Sequence, residues 1–244
     1  MSSLGIYPKK YFNKDIRVFR KKLKDKEVFT FSKFADGEWL VLEGKRIDNK
    51  EFRFVNSLEN IEARESLENA IRFQHPNYYV GVSCPCCQGN AFESMVDFSG
   101  QPLEKLTWAN LWVNSNYKYY KSYVVPLFKQ YKTVLVANKD SNIENLPKGL
   151  KPEIFCPIEK NAWIDSKECI ETLKDAIDKH KMKGWLFLFC AGPFGNILAH
   201  QLTEYCDKNT YLDIGSTLNP FLGTEGFRRS YFRNHKELKP CVWR

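Results

Sequence analysis

A chain of 244 residues with 43% apolar, 15% aromatic and 27% charged side chains can build a core, so it is not a disordered protein, and 13 glycines and 11 prolines are too few for a collagen-like or low-complexity one. The 37 Lys and Arg outnumber the 29 Asp and Glu, a net charge of +8 that suits an anionic partner without choosing among a nucleotide, a phosphorylated substrate, a membrane surface and nucleic acid. At this length roughly 70–75% of the unfolded surface is buried on folding, enough for one domain over residues 1–244 without disulfide staples.

The N-terminus, MSSLGIYPKKYFNKD, has no apolar stretch of signal-peptide length, and no window reaches the ~18 apolar residues of a membrane span. The expectation is a soluble, cytoplasmic protein without a transmembrane segment. The cationic run Arg20, Lys21, Lys22, Lys24 and Lys26 is interrupted by Asp25 and Glu27 and reads as a solvated helix face, so nucleic acid is disfavoured as a partner. Residues 28–34 (VFTFSKF) read as a strand running into the polar sequence Ala35-Asp36-Gly37-Glu38. Leu58, Ile61, Leu67, Ala70 and Ile71 recur at helical spacing and predict an amphipathic helix over 58–74. Residues 78–82 predict a short strand, and the aromatic-rich 103–131 a helical stretch broken or begun at Pro126. TVLVAN (133–138) and EIFCPI (153–158) are strands. A helix follows over 166–182 with Ser166 as its N-cap. WLFLFC (185–190) is a continuous apolar run, as in a strand covered on both faces; a Gly-rich turn, a helix (193–206) and a last strand (210–215) complete the chain. Strands and helices alternating at these lengths predict an α/β, Rossmann-like fold with a mostly parallel sheet, whose ligand sites lie at the carboxyl ends of strands.

Three motifs sit at such ends. Asp36 and Glu38 flank Gly37 directly after the first strand, and in an extended or turning segment residues i and i+2 point the same way. Paired hard oxygens suit Mn²⁺ or Mg²⁺ when substrate phosphates complete the coordination. The plain alternative is a surface Asp-Gly turn. Phe189-Cys190-Ala191-Gly192-Pro193-Phe194-Gly195-Asn196 leaves a buried strand and opens a helix whose N-terminus would suit a phosphate; it also reads as a tight turn with Pro193 at the first helical position. Asp213 ends a strand ahead of Gly215, Ser216 and Thr217, placed to hold a sugar hydroxyl, a ribose or a metal, or simply to cap the next turn. Cys84-Pro85-Cys86-Cys87 lacks the second pair that a structural zinc site needs and reads as a constrained loop; Cys156 and Cys190, in apolar runs, read as buried thiols.

Together these motifs resemble the GT-D type glycosyltransferases, whose first strand ends in a Phe-(Gly/Ala)-Asp-Gly-Glu signature. Here it stands as Phe34-Ala35-Asp36-Gly37-Glu38, followed in the family's order by Pro157-Ile158-Glu159-Lys160-Asn161-Ala162-Trp163, Gly192-Pro193 and Asp213-Ile214-Gly215. Ser216 stands where bacterial members of the family have His, and Lys33 where they have Arg, which keeps the charge but loses the bidentate fork. The resemblance implies transfer of a sugar from a nucleotide-sugar donor, a UDP-sugar, to a glycan or glycoconjugate acceptor, assisted by Mn²⁺ or Mg²⁺. It implies Asp36 and Glu38 for metal and donor, and Lys33, Arg228 and Arg229 for charge neutralisation. Asn161 and Trp163 would contact base or ribose, Gly192 and Gly195 the pyrophosphate, and Asp213 and Ser216 the sugar end. The competing readings are another α/β nucleotide or sugar-phosphate enzyme and a non-catalytic zinc- or nucleic-acid-binding module.

Overall fold

The computed structural model describes residues 12–48, 52–55, 57–89, 91–224 and 232. Arg228, Arg229 and Cys241–Trp243 lie outside them, as do the side chains of Cys86 and Cys87. In chain order the elements are α1 (Phe12–Lys24), β1 (Thr30–Lys33), α2 (Asp36–Leu42), a two-stranded ribbon of β2 (Ile47–Asp48) and β3 (Arg53–Phe54), α3 (Leu58–Arg72), β4 (Tyr78–Val82), α4 (Pro85–Gln88), α5 (Ala91–Ser99) and β5 (Leu106–Trp108). Then come α6 (Tyr117–Tyr119), which continues as a π-turn and a 3-10 segment to Gln130, β6 (Thr133–Asn138), β7 (Ile154–Ile158), α7 (Ala162–Asp165), α8 (Glu168–Lys179), β8 (Leu186–Phe189), α9 (Pro193–Tyr205), β9 (Thr210–Asp213) and α10 (Asn219–Leu222).

Seven strands form one parallel sheet in the order β5-β4-β1-β9-β8-β6-β7. The predicted α/β class and parallel sheet are what the structure shows. Parallel strands need crossovers on the faces, so both faces are covered and each carries its own core. One core places Val80, Val134, Phe187 and Phe189 under α3, α5, α8 and α9. The other places Phe31, Leu135, Leu186 and Leu188 under α1 and the helical run from Tyr117. Leu186–Phe189, alternating between the two cores, are fully buried, which explains why β8 shows no apolar–polar alternation.

Several elements differ from the sequence reading. The segment 103–131 is not helical throughout: Leu106–Trp108 form β5, and only the stretch from Tyr117 onward is helical. The π-turn precedes Pro126, which has no N–H to continue an α-helical ladder. Helix α3 buries three of the five residues expected on its apolar face. Leu58 and Ile61 are exposed, while Ala63, Leu67, Ala70 and Ile71 face inward, where small residues let α9 approach. Ser166 does not cap α8, which starts at Glu168; its hydroxyl instead accepts the Glu159 N–H at 2.8 Å. Cys156 and Cys169 are buried thiols with Sγ atoms 2.7 Å apart.

Candidate functional site

Strands β1, β9 and β8 are neighbours in the sheet, and the segments leaving their carboxyl ends meet. Asp213 is the hub, 1% exposed at the end of β9. Its Oδ1 accepts the Gly215 N–H at 3.0 Å and its Oδ2 the Lys33 N–H at 3.4 Å, tying the ends of β9 and β1 together. Burial pushes its carboxyl up to about 7; the Lys33 charge opposes that shift and the Glu38 charge reinforces it. Lys33 folds over Gly215, where a Cβ would lie 3.0 Å from its Cε. Gly215 has φ +52, a left-handed conformation that L side chains rarely adopt.

Helix α9 closes the site from β8. Gly192, also at positive φ (+54), turns the chain, and Pro193 occupies the first helical position, where its missing N–H costs nothing. The positive end of α9 therefore lies beside the carboxyl ends of β1 and β9. Asn196, fully buried, donates its amide to Ser32 Oγ at 3.0 Å and to the Lys33 carbonyl at 2.8 Å, clamping α9 to β1. Its Oδ1 is buried without a partner among the described residues. Asn196 belongs to the Gly-Pro motif, and a polar side chain in an otherwise apolar first turn is the sequence signal of this clamp.

The remaining predicted residues fall into different environments. Asp36, Gly37 and Glu38 are the first turn of α2, not an extended segment. On a helix i and i+2 are ~200° apart, so the two carboxylates diverge rather than converge. Asp36 is exposed at the rim, while Glu38 is 5% exposed and its Oε2 accepts the Ala35 N–H at 2.9 Å. Ala35 has no side-chain acceptor to complete the reciprocal box, so Glu38 alone caps this end. Ser216, partly exposed, lies in the 3-10 turn Gly215–Leu218, which Tyr117 and Tyr120 brace through their hydroxyls to Thr217.

Asn161 and Trp163 are committed to the protein. Asn161 Oδ1 accepts both the Trp163 indole N–H at 2.9 Å and the Arg53 N–H at 3.1 Å. Trp163 is 2% exposed, its ring packed edge-on against Phe52 at 5.5 Å. They anchor the β2–β3 ribbon rather than present a surface to a base. Beside that ribbon Phe52 reaches the turns at Gly37 and Gly192: a Cβ on Gly37 would lie 3.1 Å from Phe52 Cζ and one on Gly192 3.8 Å from Phe52 Cδ1. Phe52→Ala is therefore expected to cost about 3–5 kcal/mol, measured by urea denaturation, and to loosen both turns at once.

Gly195 is buried inside α9, and a Cβ there would lie 3.3 Å from Asp213 Cγ and 3.4 Å from Phe189 Cβ. The glycine makes room for Asp213 instead of exposing backbone to a diphosphate. Asp213 is pinned by two N–H groups and Phe189 by the sheet, so neither neighbour can give way. Gly195→Ala is expected to destabilise by about 1–3 kcal/mol from overpacking, offset by at most ~1 kcal/mol of helix propensity. A lowered melting temperature checks it; a rise would show that Asp213 is not held there.

Among the described residues no three His, Cys, Asp or Glu side chains come together as a metal-holding group. Because Asp36 and Glu38 diverge on α2, the fit is that of a hard divalent cation taking an oxygen from one of them and completing its shell with phosphate and water. Glu38 has one oxygen engaged by Ala35, which leaves the other for such a cation.

No family model matches the chain, and no curated protein does. Solved structures do. One, described as the highly conserved domain of unknown function 1792 with a distinct glycosyltransferase fold, superposes with a TM-score of 0.58 at 14% identity over 83% of this chain and 77% of that one. A second, described as a new glycosyltransferase (DUF1792) from Streptococcus sanguinis, gives a TM-score of 0.59 at 14% identity over 83% of this chain and 80% of that one. The chain thus shares the fold of these structures, one of which is described as a distinct glycosyltransferase fold.

Proposed function

We propose that the protein is a glycosyltransferase that moves a sugar from a nucleotide-sugar donor, a UDP-sugar, to a hydroxyl of a glycan or glycoconjugate acceptor, with Mn²⁺ or Mg²⁺ as cofactor. The observation that carries this reading is the meeting of Lys33, the Asp36–Glu38 turn, the α9 N-terminus and Asp213 at the carboxyl ends of β1, β8 and β9, on a fold shared with structures described as glycosyltransferases.

Glycosyl transfer breaks the bond between the anomeric carbon and a diphosphate oxygen, so negative charge grows on the leaving group. Groups preorganised around that charge lower the barrier. The Lys33 ammonium and the positive end of α9 supply two of them. Asp36, at the rim, or Glu38, inside, would hold the divalent cation, which when bound neutralises the diphosphate. Asp213 acts through its neighbours: it fixes the Lys33 backbone and the Gly215 turn, and with them the partly exposed Ser216 at the sugar end. Gly192 shapes the turn that the diphosphate would face.

A panel of UDP- and GDP-sugars assayed for turnover with and without Mn²⁺ tests the reading. Metal-dependent release of UDP from at least one donor supports it. Absence of turnover together with no thermal stabilisation by any UDP compound overturns it, since a ligand at 100 times its Kd should add about 2.7 kcal/mol.

A further inference from the structure

The net charge is not spread over the molecule. Helix α1 carries six cations and one acid, and residues 105–139 carry six lysines and neither Asp nor Glu. These two segments hold more positive charge than the whole chain's +8, so the rest of the chain is net negative. Helix α1 and the helical run from Tyr117 pack on the same face of the sheet, over the core of Phe31, Leu135 and Leu188, while Lys132 and Lys139, at the two ends of β6, respectively lie over Trp185 and pair with Glu159.

Within α1 the buried stripe is Ile16, Phe19 and Leu23. At 100° per residue the opposite stripe is Lys14, Arg17, Lys21 and Lys24, all exposed. It runs about 15 Å along the helix. Beside it the run from Tyr117 exposes Lys118, Lys121 and Lys129. Arg20 joins the two: its Nε–H donates to the Tyr123 carbonyl at 3.4 Å and its guanidinium lies 5.8 Å from the centre of the Tyr123 ring. Tyr123 is 53% exposed, with Tyr119 packed against it at 4.8 Å, and Val18 is 52% exposed. Asp15, which accepts the Thr107 hydroxyl, borders the face, and Asp25 and Glu27 pair with Lys21 and Lys22 and offset their charge, so Lys14, Arg17, Arg20 and Lys24 carry the net positive charge of α1.

We infer that this face docks the protein peripherally on an anionic lipid bilayer. Rows of cations on the outer sides of two adjacent helices match a plane of acidic headgroups, and an exposed tyrosine among them is the side chain that settles at the membrane–water boundary. A single-stranded nucleic acid is taken instead by a charged groove lined with stacking aromatics. No described helix is long and apolar enough to cross a membrane; the contact proposed is peripheral, with the cations at the headgroups and Val18 and Tyr123 at the boundary. The face reaches the site's end of the sheet, since Asp15 meets Thr107 near the end of β5 and Tyr117 meets Thr217 just beyond β9. The docking does not depend on the transferase reading, and its test needs no turnover.

The experiment is co-sedimentation of the full chain with phosphatidylcholine vesicles, with and without phosphatidylglycerol, over a salt series. Binding is expected only with phosphatidylglycerol and is lost as salt rises. Arg17→Glu/Lys21→Glu/Lys121→Glu should weaken it by at least about tenfold with an unchanged circular dichroism spectrum. Should that variant fail to fold, Val18→Ser/Tyr123→Ser preserves every charge and should still weaken vesicle binding while leaving heparin binding unchanged. Failure to sediment with phosphatidylglycerol vesicles overturns the inference. So does binding to heparin or single-stranded RNA that is tighter than vesicle binding, with vesicle binding indifferent to Val18 and Tyr123.

Discussion

Asp213→Asn is expected to raise the melting temperature at about pH 8 while abolishing turnover. The folded carboxyl is pushed up to about 7 from 3.8, chiefly by burial. Below the unfolded value both states hold the proton and the group costs nothing. As pH rises from there the unfolded chain releases its proton and the folded chain does not, so stability falls, and it levels off once pH passes the folded value. The shift of about three units corresponds to roughly 4 kcal/mol lost above pH 7. Asparagine removes that penalty but can accept only one of the two N–H groups now bound to Asp213, which returns about 1–3 kcal/mol. The net gain is about 1–3 kcal/mol at pH 8, crosses zero between about pH 4.5 and 6, where the burial penalty has shrunk to the value of the lost hydrogen bond, and is a net loss below that. Thermal melts of both proteins across that range check the crossing. If the difference between them does not change with pH, Asp213 does not titrate as described. Retained turnover in the variant would remove Asp213 from the positioning of Lys33 and Gly215.

Much of this site was legible because parallel-sheet chemistry concentrates at strand ends. The apolar runs of β6, β7, β8 and β9 are long enough to read directly, and Asp213 and the Gly-Pro turn stand where those runs stop. Strand β5 was hidden because three residues inside an aromatic-rich segment carry no period of their own. The start of α2 was hidden by Gly37, which makes Asp-Gly look like a turn; Glu38, three residues after Ala35, was the signal of a helix end. The roles of Asn161 and Trp163 were beyond local reading. They are decided by Arg53 and Phe52, more than a hundred residues away in sequence, whose approach only the fold determines. Asn196 has the same character: its partners Ser32 and Lys33 belong to the first strand.

The divergence of Asp36 and Glu38 leads to an expected split between activity and stability that a convergent pair would not show. Asp36 is exposed in the first turn of α2, where its charge favours the helix dipole by at most about 1 kcal/mol, so Asp36→Ala should lower the melting temperature only slightly while lowering kcat/KM by about 10²-fold, the cost of removing one group that stabilises developing charge. Glu38→Ala should show a comparable loss of activity and also lose about 1 kcal/mol of stability, because the Ala35 N–H at the part-buried start of α2 loses its acceptor. Glu38→Gln separates the two effects. Its amide oxygen can still accept the Ala35 N–H, so stability returns, while the lost charge keeps activity low and raises the Mn²⁺ concentration needed for half-maximal turnover. Unchanged activity in Asp36→Ala, with the protein folded, would take that carboxylate out of the machinery. Full activity in Glu38→Gln would leave Glu38 as a helix cap alone, and the cation would then have to be held by Asp36 and the donor's own phosphates.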